Sequence, residues 1–401
     1  ASHVLAVHDK DNQIHTIQCI GPGQIEPSDL PSAERRSESD VTFFAKWSES
    51  LLMRQVPEQK VTLKGTVVVS QSNATDMIAT DDAGAGMSLS GDVIEMTGTT
   101  AKAPARIASV GGDALQTSGM DFSRIKPKEL TAIGNVLLTH NRVSGHINEK
   151  LTVTFTEQLS PNAASDKTKT ISQSSILNDS QGDQGETNFF CDTAKASVNL
   201  VQNAQQKQSA EWKDVWLVGK VQIEHTGLTK DSDFSAKGNA LSAKSGLDAI
   251  GDVSLFGDPA EVRLASRRVE GPRIDLRELE PSVNGPGSIR FVNDRGLNGK
   301  PLEKPSVVEI YWTDSMTYSD RTADFIGNIR AVMTNELDHK VELTCASMKV
   351  FFTSDLQMQA DSKKNALQAD TSDSDEGPIE RIECNSKVVV DIYQMKENIV
   401  V

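Results

Sequence analysis

Apolar and polar residues alternate over much of this chain. In Val61-Thr62-Leu63-Lys64-Gly65-Thr66-Val67-Val68-Val69 the odd positions are apolar or glycine and the even ones mostly polar. Leu217-Val218-Gly219-Lys220-Val221-Gln222-Ile223 repeats the arrangement, with glycine in the same place. So do Ala132-Ile133-Gly134-Asn135-Val136-Leu137-Leu138, Ala249-Ile250-Gly251-Asp252-Val253-Ser254-Leu255 and Phe325-Ile326-Gly327-Asn328-Ile329-Arg330-Ala331. Leu89-Ser90-Gly91-Asp92-Val93 is a weaker copy, because Glu95 falls where the alternation expects an apolar side chain. Period-two patterning turns one face of a strand toward a core and the other toward solvent. The pattern therefore predicts about a dozen short strands built around Gly-Asn-Val or Gly-Asp-Val steps.

In each copy the glycine falls on the apolar side. Glycine weakens a strand interior, so a recurring one marks a bend, a bulge or the close approach of another backbone. A curled sheet needs such a hinge at its fold line. Helix signals are scarce, and the best candidate is the Ala-, Gln- and Lys-rich stretch 194–213. Two polar stretches break the rhythm and read as solvated loops: Ser160 to Glu186, and Gln359 to Gly377 with its acidic run 370–376.

A longer repeat overlies the short one. Gly21-Pro22-Gly23 returns as Gly285-Pro286-Gly287, an offset of 285 − 21 = 264. Trp47-Ser48-Glu49-Ser50 returns as Trp312-Thr313-Asp314-Ser315, an offset of 265, and Gly65 as Gly327, an offset of 262. Three landmarks in one order predict a duplicated unit. The expected organisation is a first copy over 1–283, with a polar insertion near 160–190, and a second, truncated copy over 284–401, with an acidic loop near 359–377. The start Ala1-Ser2-His3 has no initiator Met, basic region or apolar region, which reads as a segment of a longer protein.

Composition narrows the functions. A net charge of −15 with no basic stripe argues against a nucleic-acid partner. Chemistry-bearing patterns fail on inspection. Seven scattered histidines show no ligand spacing, and Ser123-Arg124-Ile125-Lys126 matches an SxxK motif without its companions. Asp9-Lys10-Asp11-Asn12 opens like a calcium loop but has Ile14 and Ile20 where Gly and Glu are required. Asn73-Ala74-Thr75 is a glycosylation sequon only in a eukaryotic secretory setting. The expectation is a non-enzymatic protein with no cofactor and no metal. Cys19, Cys191, Cys345 and Cys384 lie far apart with no CxxC spacing. Cys345 and Cys384 both fall in strand-like text, where neighbours and buried free thiols both fit, the free thiol being favoured.

The Gly-Asn-Val steps, followed by alternating text such as Leu343-Thr344-Cys345-Ala346-Ser347-Met348-Lys349-Val350-Phe351-Phe352, resemble the OstA/LptA-type repeat of lipopolysaccharide transport. The likeness is carried by Gly134-Asn135-Val136, Gly327-Asn328-Ile329, Gly91-Asp92-Val93 and Gly251-Asp252-Val253 and spans most of 60–400. The length, the two insertions and the 264-residue super-repeat depart from a single bridge subunit of that family. The resemblance implies an all-β, elongated antiparallel β-jellyroll folded like a taco, with an apolar trough holding acyl chains. It implies a periplasmic or cell-envelope location of Gram-negative type, a bridging role in outer-membrane biogenesis, and partners that join by end-to-end pairing of sheet edges, other envelope proteins or further repeats. A carrier needs a continuous apolar trough because each exposed CH₂ of a lipid chain costs about 0.8 kcal/mol. Alternation places Leu63, Val67, Val69, Val136, Leu138, Leu217, Val221, Ile223, Val253, Leu255, Phe325 and Ile329 on its inner face. The alternative is a structural scaffold of the envelope in which these side chains fill the interior.

Overall fold

The computed structural model describes residues 2–8, 14–25, 41–54, 59–73, 87–100, 125–140, 142–158, 185–202, 208–227, 233–245, 252–264, 267–277, 280–295, 301–334, 339–352 and 379–394. Among them the chain is all-β and antiparallel, with 23 strands and no helix. That is more strands than the dozen the alternation predicts, and they are not all short: the longer ones run to 14–19 residues. By contact the chain divides into one unit of 1–168 with 192–213, and another of 169–191 with 214–401. The predicted repeat boundary at 283/284 lies elsewhere, inside the second unit.

In the first unit the strands are β1 (His3–His8), β2 (Ile14–Ile20), β3 (Gly23–Ile25), β4 (Val41–Trp47), β5 (Ser50–Arg54), β6 (Gln59–Asn73), β7 (Met87–Thr100), β8 (Ile125–Ile133), β9 (Val136–His140) and β10 (Val143–Gln158). Pairing runs along two walls. One is β1, β2, β5, the first half of β6, the second half of β7, β8 and the second half of β10. The other is β3, β4, the second half of β6, the first half of β7, β9 and the first half of β10. Each long strand thus crosses a corner from one wall to the other.

The strands β11 (Glu186–Gln202) and β12 (Gln208–Thr226) occupy the stretch that is the best helix candidate in the sequence. Ala194, Ala196 and Val198 are buried at a period of two, which overrides their helix-friendly composition. The second unit continues with β13 (Phe234–Lys244), β14 (Val253–Leu264), β15 (Arg267–Arg277), β16 (Glu280–Asn284), β17 (Gly287–Arg295), β18 (Pro301–Trp312), β19 (Ser315–Ser319), β20 (Thr322–Thr334), β21 (His339–Phe352), β22 (Ile379–Asn385) and β23 (Val389–Gln394). Here β15 pairs with both β16 and β17, β20 with both β18 and β19, and β21 with both β22 and β23. The pairing order of β2 to β9 recurs in β16 to β23.

The corners explain the glycines. Gly65, Gly134, Gly219 and Gly327 have φ of +83°, +75°, +79° and +86°. At Gly65, Gly219 and Gly327 the ladder slips by one residue, so two residues face one, a bulge with glycine in the left-handed position. Gly91 is different: it is buried, with no left-handed φ, and a Cβ there would lie 3.3 Å from the Ile133 carbonyl. Gly251 is outside the described residues, and β14 instead turns its corner at Gly257-Asp258-Pro259. Because β7 turns without an extra residue, its buried positions step from Gly91 to Ile94. That moves Glu95 to the outer face, where it pairs with Lys60 at 2.9 Å and accepts a bond from Thr62. Glu95 is therefore no defect in the copy.

The super-repeat landmarks hold the corners in both units by the same contacts. Trp47 Nε1 donates to the Gly21 carbonyl at 3.1 Å, and Trp312 Nε1 to the Gly285 carbonyl at 3.1 Å. Gly23 faces Trp47 and Gly287 faces Trp312 in register, with the indole lying where a Cβ would stand.

On the outer face of the second unit, charges of opposite sign line up across strands. Glu342 accepts from Arg330 Nε at 2.6 Å and lies 2.9 Å from Lys340 Nζ. The Arg330 hydrogen bond, then that of Lys340, holds the Glu342 carboxyl down to about 2. A carboxylate depressed in the folded state stabilises fully above its unfolded pKa, and that contribution is lost as pH falls through the folded value. The thermal midpoint is expected to fall between about pH 4.5 and about pH 2 by this route, and Glu342→Gln to remove that part of the dependence in a pH series of melts.

Candidate functional site

The inner faces are built from ladder rows, each contributing one side chain per strand. In the first unit one row runs Val4, Cys19, Leu51, Leu63, Ile94, Ala132, Leu151. A second, one step farther from the corner, runs Ile17, Met53, Val61, Met96, Leu130, Val153. On the other wall the second step runs Ile25, Ala45, Val69, Leu89, Leu138, Gly145. In the second unit a single row crosses nine strands: Leu217, Leu241, Leu255, Ile274, Val283, Met316, Phe325, Met348, Cys384. Side chains directly opposite on antiparallel strands stand close enough to pack, so each row is a continuous apolar strip.

All twelve predicted lining residues fall on these inner faces, and burial separates them into two groups. Leu63, Val67, Val136, Leu217, Val221, Leu255, Phe325 and Ile329 are buried, at 5% exposure or less. Val69, Leu138, Ile223 and Val253 are half-buried. The buried eight sit next to the corner, where they pack on other side chains. The four half-buried ones sit one step farther out.

In the second unit the two walls touch. A cavity of about 40 Å³ lies between Val262, Val269 and Ile289 of one wall and Pro281, Met316 and Tyr318 of the other. One water needs about 10–15 Å³ of such space, so the cavity is room for a few waters and far less than an acyl chain fills. Farther out, the Phe352 ring meets Phe291 of the opposite wall edge-on at 6.0 Å, and Tyr318 lies 6.0 Å from Phe352. These rings bridge the walls.

The first unit differs at the matching place. By register and by its bulge, Gly98 of β7 occupies the position that Phe352 holds in β21. Glycine brings no ring to that position, and Gly98 itself is buried. Along its second step Ile17, Met96 and Leu130 on one wall, and Ile25, Val69 and Leu138 on the other, are half-buried, while Met53, Val61 and Val153, and Ala45, Leu89 and Gly145, of the same rows are buried. Alternation in the sequence identifies the inner face. It does not show which inner residues a facing wall covers, because that depends on rings such as Phe291, Tyr318 and Phe352 brought together from distant strands.

Little else is arranged for chemistry. Among the described residues no group of three His, Cys, Asp or Glu side chains is placed to hold a metal ion. The densest charged cluster pairs Glu261 with Arg263 at 2.5 Å and with Arg268 at 2.7 Å, and Arg268 also with Glu270. Burial opposes ionisation of Glu261, but the Arg263 hydrogen bond and the neighbouring guanidiniums outweigh it and hold the carboxyl below its ordinary range. Such paired charges brace the outer sheet face. Asp9-Lys10-Asp11-Asn12 and the acidic run 370–376 lie outside the described residues, as do most of Ser160–Glu186 and of the sequon Asn73-Ala74-Thr75. A comparison with protein-family models, curated proteins and solved structures finds no match to this chain.

Proposed function

We propose that this chain is a non-enzymatic binder of apolar chains, the acyl chains of a lipid or of a lipopolysaccharide-like glycolipid, and that it serves as a bridge for them in a cell envelope. The observation that carries the reading is the pair of apolar rows in the first unit, in each of which every buried member is matched by a half-buried one, beside Gly98 where the second unit has a bridging ring. Apolar strips continuous from strand to strand and open to solvent in part are what an acyl chain can use, since its affinity grows with the apolar area it covers. The half-exposed members Val69 and Leu138 are the contacts of this reading, and the corner residues are its support.

A second reading, a structural scaffold with a filled interior, is favoured by the eight buried lining residues and by the ring bridge of the second unit. The two readings part at one measurement. The purified chain is mixed with a fluorescent fatty acid and, separately, with a lipid A-type glycolipid, and binding is read by fluorescence and native mass spectrometry. Binding is expected, with Leu138→Asp weakening it by about tenfold or more, the worth of one lost side-chain contact. No bound lipid, and no adduct from photo-crosslinkers at positions 69 and 138, would leave the scaffold reading.

A further inference from the structure

The second unit carries two thiols at one corner. Cys345 of β21 and Cys384 of β22 lie on neighbouring strands, in the register Met348↔Cys384. Cys345 is the last buried inner residue on one wall and pairs with Ile329 of β20. Cys384 ends the nine-residue row on the other wall. Between β22 and β23 the chain turns at Ser386 and Lys387, both left-handed at φ +62° and +50°, and the Ala346 amide donates to the Ser386 carbonyl at 3.3 Å. This turn carries the chain from β22, on one half of β21, to β23, on the other, so Cys345 and Cys384 flank the same corner, where their side chains share a hydrogen bond. Both cysteines are reduced, Cys345 buried and Cys384 partly open to solvent.

The fold does not need sulfur at these two places. In the first unit Gly91 pairs with Val67 as Cys345 pairs with Ile329, and Ala132 follows Ile94 as Cys384 follows Met348. Gly91 and Ala132 thus fill the same corner with no side chain capable of reaction. Burial pushes the Cys345 thiol up to about 12 and the Cys384 thiol also upward, so both are protonated at neutral pH.

We propose that Cys345 and Cys384 form a reversible disulfide that staples β22 and β23, the last described strands, to β21. This inference is independent of the lipid reading. The oxidant is a small-molecule disulfide such as glutathione disulfide. The more accessible Cys384, as thiolate, attacks one oxidant sulfur, and the first small thiol leaves. The Cys345 thiolate then attacks the Cys384 sulfur of the mixed disulfide, and the second small thiol leaves. Two protein thiols are oxidised, one oxidant disulfide is reduced to two thiols, and the two protons end on those thiols. Because the thiolate is the reactive form, the reaction is slow at neutral pH and speeds up toward alkaline pH. The closed loop joins positions 384 − 345 = 39 residues apart, so the bond constrains the unfolded chain as well as the corner.

The test uses the whole 401-residue chain with glutathione disulfide at pH 7.5 and pH 9. Peptide mapping is expected to show a Cys345–Cys384 cross-link, formed faster at pH 9, and no cross-link that includes Cys19 or Cys191. Hydrogen exchange of the β22 and β23 amides should slow on oxidation and recover with dithiothreitol. Cys384→Ala, which installs the residue found at Ala132, should fold and lose the redox dependence of exchange. A chain that ends with glutathione on Cys384 and no internal cross-link would overturn the proposal, as would a cross-link that leaves β22 and β23 exchange unchanged.

Discussion

Phe325→Ala is expected to lower the stability of the second unit by about 3–5 kcal/mol. Phe325 is 1% exposed, stands between Met316 and Met348 in the nine-strand row, and lies 5.2 Å from the Trp312 ring. Removing the ring deletes its burial and leaves a void that Met316 and Met348 fill only in part, and it also loses the tilted ring contact with Trp312. Urea unfolding followed by tryptophan emission suits the measurement, because Trp312 reports on the same corner. The substitution also bears on function. Were Phe325 part of an open lining, alanine there would weaken lipid binding and leave folding nearly untouched. A large loss of stability places it among the packing residues, whereas the half-exposed Val69 should show the reverse balance when truncated: a stability change below that of Phe325→Ala and a measurable loss of bound lipid.

Much of the fold is legible because burial follows the period of two. Leu63, Val67, Val136, Leu217, Val221, Leu255, Phe325 and Ile329 are inner and buried as the alternation predicts. The misreadings each have a local cause. The best helix candidate, 194–213, rests on composition, although Ala194, Ala196 and Val198 already carry the strand period. Glu95 looks out of place only if alternation runs unbroken through a corner, whereas β7 steps from Gly91 to Ile94 and changes phase there. Glycines at fold lines were readable as a class, but not their two kinds. A left-handed Gly65 and a closely approached Gly91 look alike in sequence and differ only in φ and in what lies opposite. The candidate site was half legible. Its inner face follows from alternation, but the contrast between Gly98 and the ring of Phe352 at the matching place is visible only once the strands are in register.

That distinction between glycines leads to the second large effect. Gly327→Val is expected to cost about 1–3 kcal/mol from the backbone alone, since φ there is +86° and a β-branched residue is strained in the left-handed region. A Cβ at 327 would also land on the Asp314 carboxylate, the residue that closes the preceding corner. Asp314 is exposed and can swing outward, so the steric part is relieved and the strained φ remains. The neighbour provides the control. Asn328 is also left-handed, at φ +39°, and it tolerates this because asparagine enters that region more readily than most residues. Asn328→Gly should therefore be neutral or slightly stabilising in the same urea titration, while Gly327→Val unfolds at lower denaturant. If the two substitutions cost the same, the corner is held by its side-chain contacts, with Trp312 on Gly285 foremost. If only the valine is costly, the left-handed bulge itself sets the bend, and Gly65, with its φ of +83° in the same one-residue slip, should respond to valine in the same way.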